Sequence, residues 1–69
     1  MEYFVLFKED GESPDNFKAY QTLDEAVTAA KATIARDYER ISDDYYIKGV
    51  EPGTFPEVVK EFSVFGEEL

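Results

Sequence analysis

Carboxylates are the side chains with chemical potential in this chain. Its 69 residues hold 16 Asp and Glu against 7 Lys and Arg, a net charge of −9, with no His and no Cys. Asp43 and Asp44 stand beside Tyr45 and Tyr46, an arrangement that suggests an acid/base pair. In so acidic a chain, adjacent carboxylates arise from composition alone, and these read as the solvated end of a helix. Ser13, Ser42 and Ser63 have no His to activate them, so a hydrolytic triad is excluded. Without Cys there is no thiol nucleophile, zinc ribbon, disulfide framework or redox motif. No Walker loop or Gly-x-Gly-x-x-Gly is present. The acids between Glu9 and Asn16 do not have the spacing of an EF-hand calcium loop. The expectation is a protein that is not an enzyme and carries no cofactor or metal.

The elements that must position these carboxylates are legible in outline. Residues 2–8 form an apolar run that reads as a strand, with Tyr3, Val5 and Phe7 on one face and Phe4 and Leu6 on the other. Asp-Gly and Ser-Pro mark residues 9–16 as a loop. Phe17 to Tyr20 suit a short strand returning beside the first. Thr22-Leu23-Asp24-Glu25 is a capping box. After it, Leu23, Val27, Ala30, Ile34, Tyr38 and Ile41 recur at helical spacing, until Ser42-Asp43-Asp44 ends the helix. Residues 45–51 read as a strand closed by Pro52-Gly53. Residues 58–65 alternate as a last strand, with Val58, Lys60, Phe62 and Val64 on one face and Val59, Glu61, Ser63 and Phe65 on the other. A helical turn over Pro56 to Phe62 is the competing reading, and Gly66 to Leu69 read as a frayed tail. The fold class is α+β: a ββαββ domain over residues 1–69, with one helix on one face of an antiparallel sheet.

One helix covers one sheet face, yet the strands are apolar on both. An aromatic outer face implies a second buried surface. A second copy of the chain in a two-fold homodimer supplies it most simply; loops of the same chain are the alternative. Hydrophobic residues at 43% and aromatics at 16% favour folding over an acidic disordered tail. No apolar run of about 18 residues spans a membrane. Met1-Glu2-Tyr3-Phe4 is not the start of a secretory signal, so a soluble cytoplasmic protein is expected.

The charge is unevenly spread. Residues 1–16 carry −4, residues 17–42 are neutral, and residues 43–69 carry −5. The excess therefore sits on strands and loops, not on the helix. A chain of this length has a radius of gyration of about 11 Å. A dimer carrying −18 along roughly 55 Å would reach about half the linear charge density of duplex DNA. Such a surface opposes nucleic acid and anionic lipid and attracts a basic partner. Solubility alone is the plainer account of the same charge.

This profile over the whole chain resembles the small acidic DNA-mimic inhibitors made by bacteriophages, including those that occupy the DNA-binding surface of the histone-like protein HU. The resemblance rests on no motif. It implies a phage-encoded protein that acts in the host cytoplasm and blocks DNA binding by a basic host protein. The carboxylates placed to stand where phosphates sit are Glu9, Asp10, Glu12, Asp15, Asp43, Asp44, Glu51, Glu57 and Glu61. The alternative function is an adaptor or inhibitor module that binds through an apolar aromatic surface and never meets nucleic acid. A small structural subunit of a larger assembly is a third option.

Overall fold

The structure, a computed structural model, describes residues 2–37 and 44–69. Five elements follow one another: β1 (Tyr3–Lys8), β2 (Ala19–Tyr20), α1 (Leu23–Asp37), β3 (Tyr45–Val50) and β4 (Glu57–Phe62). The strands form one antiparallel sheet in the order β2-β1-β3-β4, so the architecture is α+β with ββαββ order. Among the described residues no helix is long and apolar enough to cross a membrane.

Local chemistry starts the helix where the capping box places it. The Glu25 N–H donates to Thr22 Oγ1 at 3.2 Å, and the Ala26 N–H donates to the Thr22 carbonyl. Asp24 and Glu25 in the first turn and Arg36 in the last complement the helix dipole. The predicted continuation through Tyr38 and Ile41 to Ser42 and Asp43 lies outside the described residues. Small side chains govern how closely the helix lies on the sheet. Ala26 and Ala30 are fully buried, which lets the helix backbone settle against Leu6, Tyr45, Ile47 and Phe62. Ile34 completes this core, with Phe4, Tyr20, Leu23 and Val27 packed around it.

β4 departs from the simple alternation expected of it. Ile47 pairs with Lys60, but the next residue, Lys48, pairs with Val58, so Val59 is an extra residue in a β-bulge. The bulge reverses facing partway along the strand. Lys60 and Phe62 lie on the helix side, whereas Val58 shares the open face with Lys48. The expected grouping of Val58 with Lys60 and Phe62 is therefore wrong, and the competing helical turn over Pro56 to Phe62 does not form.

The strand also ends sooner than expected, and the tail is built rather than frayed. Ser63 to Gly66 make a turn closed by Gly66 N–H to the Ser63 carbonyl at 3.0 Å, and Ser63 Oγ accepts from the Phe65 and Glu67 N–H groups. Gly66 takes φ +85° there, a left-handed conformation that glycine adopts without strain. The chain then runs back along β4, with Phe62 bridged to Glu68 and the Leu69 N–H donating to the Glu61 carbonyl at 2.9 Å. Lys31 of the helix and Lys60 of β4 each donate to the Glu68 carboxylate, at 2.8 and 2.9 Å. This one side chain ties helix, outer strand and tail together.

Phe62 is the largest test of the core. Removing a buried phenyl group costs about 3–5 kcal/mol, and a chain of this length has roughly 3–10 kcal/mol in all. Phe62→Ala is expected to leave much of the population unfolded, seen as loss of the cooperative urea transition. The Glu68 latch carries a pH signature. Hydrogen bonds from Lys31 and then Lys60 lower the Glu68 pKa from 4.5 to about 2. A depressed carboxylate stabilises the fold above its unfolded pKa and loses that contribution as pH falls through the folded one. Glu68→Gln should therefore melt below the parent at neutral pH, the gap closing between pH 4.5 and about 2. A gap independent of pH would show that the ion pairs do not hold the tail.

Candidate functional site

The sheet gathers the acids at its two ends. β1 and β3 are antiparallel, with Lys8 opposite Tyr45 and Tyr3 opposite Val50. The loop after Lys8 and the start of β3 thus share one end, which holds Glu9, Asp10, Glu12, Asp15 and Asp44. The other end holds Glu2, Glu51 and Glu57, which line a recess of about 170 Å³ together with Gly49, Thr54 and Phe55. About 17 Å of strand separates the two ends. Glu61 pairs with Tyr46 and points to the open face between them. Asp43 lies outside the described residues. Sequence reasoning missed Glu2, which only the pairing of β1 with β3 brings beside Glu51 and Glu57.

These carboxylates differ in what already holds them. Asp15 is part of the loop's own framework. It accepts from the Ser13 hydroxyl at 2.8 Å and from the Tyr20 hydroxyl at 2.7 Å. Burial first, and this bond to Asp15 second, push the Tyr20 pKa up from 10 to about 12. Asp10 accepts from the Glu12 N–H at 2.9 Å and faces Lys8 at 3.8 Å. By contrast Glu9, Glu12, Asp44, Glu51, Glu57 and Glu61 have exposed side chains and take part in none of the ion pairs among the described residues.

The cations are arranged the opposite way, since all six in the described residues are engaged within the chain. Lys8 faces Asp10, Lys31 and Lys60 hold Glu68, and Arg36 pairs with its neighbour Asp37 at 3.0 Å. Lys18 sits 5.2 Å from the Tyr20 ring centre. Lys48 lies over Phe7 and Tyr46, at 5.2 and 5.7 Å from their ring centres. The acidic excess at the sheet ends is consequently left without local compensation.

Between the acids lies the open face of the sheet. Pairing register puts Tyr3, Val5 and Phe7 of β1, Tyr46, Lys48 and Val50 of β3 and Val58 of β4 on this side. Phe7 stacks on Tyr46 with ring centres 5.5 Å apart, and Phe17 meets Phe7 edge-on at 5.8 Å. Phe17 comes from the loop rather than from a strand. It reaches Phe7 only because Asn16 and Phe17 both take φ +61°, unusual for residues other than glycine and strained for a bulky one. The Phe17 N–H donates to Ser13 Oγ at 2.9 Å, which helps to hold this shape. The loop thus covers part of the aromatic surface, while Phe17 and Val58 remain about half exposed.

Residues of one kind, unpaired acids, border residues of another kind, an aromatic sheet. Such a surface can bind, through charge at its ends and apolar contact between them. No protein-family model, curated protein or solved structure matches this chain.

Proposed function

We propose that this chain is a non-enzymatic DNA mimic that occupies the DNA-binding surface of a basic protein, with an HU-like nucleoid protein as the partner that best fits. The observation that carries this reading is the division of labour among charges. Four of the six described cations are ion-paired within the chain and the other two lie against aromatic rings, while most of the carboxylates at the two sheet ends enter no ion pair among the described residues. A chain that needed charge only to stay in solution has no reason to separate them so. Asp10 and Asp15 are committed to their own loop, and Glu61 lies beside Tyr46 on the open face, so the contact falls mainly on Glu9, Glu12, Asp44, Glu51 and Glu57. Single exposed ion pairs contribute little; many together steer and hold a basic partner. In this reading the protein is a phage product that acts in the host cytoplasm.

The mimic acts as a homodimer joined through the open sheet faces. The molecule measures 37 × 22 × 22 Å, so −9 along its long axis is about one net charge per 4 Å. Duplex DNA carries one per about 1.7 Å. Two chains placed side by side keep the 37 Å length and halve the spacing to about 2 Å, close to the DNA value. Pairing end to end would not raise the density. The partly exposed aromatics of the open face, Phe7, Phe17 and Tyr46, support this geometry. They also favour the second reading, an adaptor that binds a neutral partner through the same apolar face.

Competition separates the readings. The protein should displace a labelled DNA duplex from purified HU, with an apparent affinity that falls steeply with salt between about 0.01 and 0.1 M. The triple variant Glu9→Gln, Glu51→Gln, Glu57→Gln should keep its circular dichroism and lose about tenfold or more in affinity, since these are several charges acting together. Failure to displace DNA at low salt would discard the mimic in favour of the adaptor. Association has its own check in analytical ultracentrifugation. The parent should sediment as a dimer at high micromolar concentration and Tyr46→Glu as a folded monomer. A monomeric parent would remove the side-by-side arrangement.

A further inference from the structure

Among the described residues several large apolar side chains are exposed, and Phe55 is more so than Phe65 or Leu69. Phe55 is 92% exposed, in the loop that joins β3 to β4. The loop that carries it is stiff. Glu51-Pro52-Gly53-Thr54 is closed by the Thr54 N–H to the Glu51 carbonyl at 3.2 Å, and the Thr54 hydroxyl donates to the same carbonyl at 3.0 Å. Pro52 fixes the first corner, and Gly53, at φ +85°, takes the position where this turn requires a left-handed residue. Pro56 restricts Phe55 itself to an extended backbone. A scattered exposed apolar residue on a mobile loop would need no explanation. An aromatic fixed between two prolines is different, because little order remains to be lost when it is buried by a partner.

The surroundings of Phe55 specify the chemistry of that partner. The recess beside it is lined by Glu2, Glu51 and Glu57, and no Lys or Arg of the described residues lines it. Gly49 forms part of this lining, and a methyl group there would meet the Glu2 carboxylate at 2.5 Å and Val59 at 3.4 Å. The β4 bulge leaves Val59 outside the pairing register and partly exposed. Phe55 is therefore an apolar knob bordered by carboxylates. The matching surface is an apolar socket rimmed by Lys and Arg. This is the arrangement of a binding hot spot, an aromatic anchor shielded from water by a polar surround.

We propose that Phe55 is the anchor by which this protein distinguishes its basic partner from other cationic surfaces, inserting into an apolar socket while Glu2, Glu51 and Glu57 face the socket's basic rim. The inference rests on the mimic reading and adds to it a contact that DNA itself cannot make. Carboxylates alone would bind any basic protein; a fixed phenyl ring selects the one with a socket.

The test uses purified HU as the probe and the full chain in three forms. Because the protein has no Trp, Phe55→Trp is a single reporter at the position in question. Its emission should shift to the blue when HU is added, as burial of the ring demands. Phe55→Ala should keep its circular dichroism and melting temperature, since Phe55 is 92% exposed and lies outside the core. It should lose roughly thirtyfold in affinity for HU, the scale of an aromatic hot spot, with the salt dependence unchanged. If the parent binds HU but Phe55→Ala binds within about twofold of it and the Trp emission stays fixed, the anchor is overturned and the mimic reading stands. If the parent does not bind HU at all, both fall together.

Discussion

A single helix can cover only one face of a four-stranded sheet, and the rest of this structure follows from that geometry. On the covered face, small residues decide the outcome. Ala26 and Ala30 bring the helix close enough for Leu6, Ile47 and Phe62 to lose all contact with water. On the other face nothing from the helix is available, so the chain relies on what the strands and one loop supply. The two aromatics Phe7 and Tyr46 stack, Lys48 lies across them, and Phe17 is brought in from the loop at the expense of an unusual backbone. Such a surface is adequate for a monomer in water and well suited to association.

The same geometry governs the electrostatics. A net charge of −9 on so small a body is self-repelling. The repulsion is relieved where the fold most needs cohesion, at the seam where Lys31 and Lys60 converge on Glu68. It is tolerated at the sheet ends, where the chain already turns and where carboxylates can remain in water. The charges that tie the fold together at Glu68 and the carboxylates left in water at the sheet ends are thus separate sets.

The sequence carried the order of elements, the N-cap at Thr22 and the facing of β1, because each depends on local propensity or on a two-residue period. It did not carry the behaviour of the C-terminal third. Alternation over residues 58–65 suggested one continuous strand, but the bulge at Val59 is decided by pairing with β3, a partner ten or more residues away. Gly66 suggested fraying, since its function as a turn depends on Ser63 and on cations contributed by two other elements. The acids were found by counting, yet which of them are free could not be read from spacing. Asp15 looks like Glu12 in a string of letters, and only the fold brings Tyr20 to one of them. Phe55 passed unnoticed because Pro-Gly marks a turn without saying how firmly the next residue is held.

The edges of the sheet limit what kind of assembly this molecule can enter. At one side β2 pairs over only two residues. At the other, the returning tail occupies the backbone of β4 around Phe62. Neither side offers a long ladder of free amide and carbonyl groups for another strand to extend. Growth by adding strands, the route to open-ended fibres, is thereby discouraged. In the proposed dimer, contact falls instead on the open face, where a two-fold pairing uses up the surface that made it and stops at two.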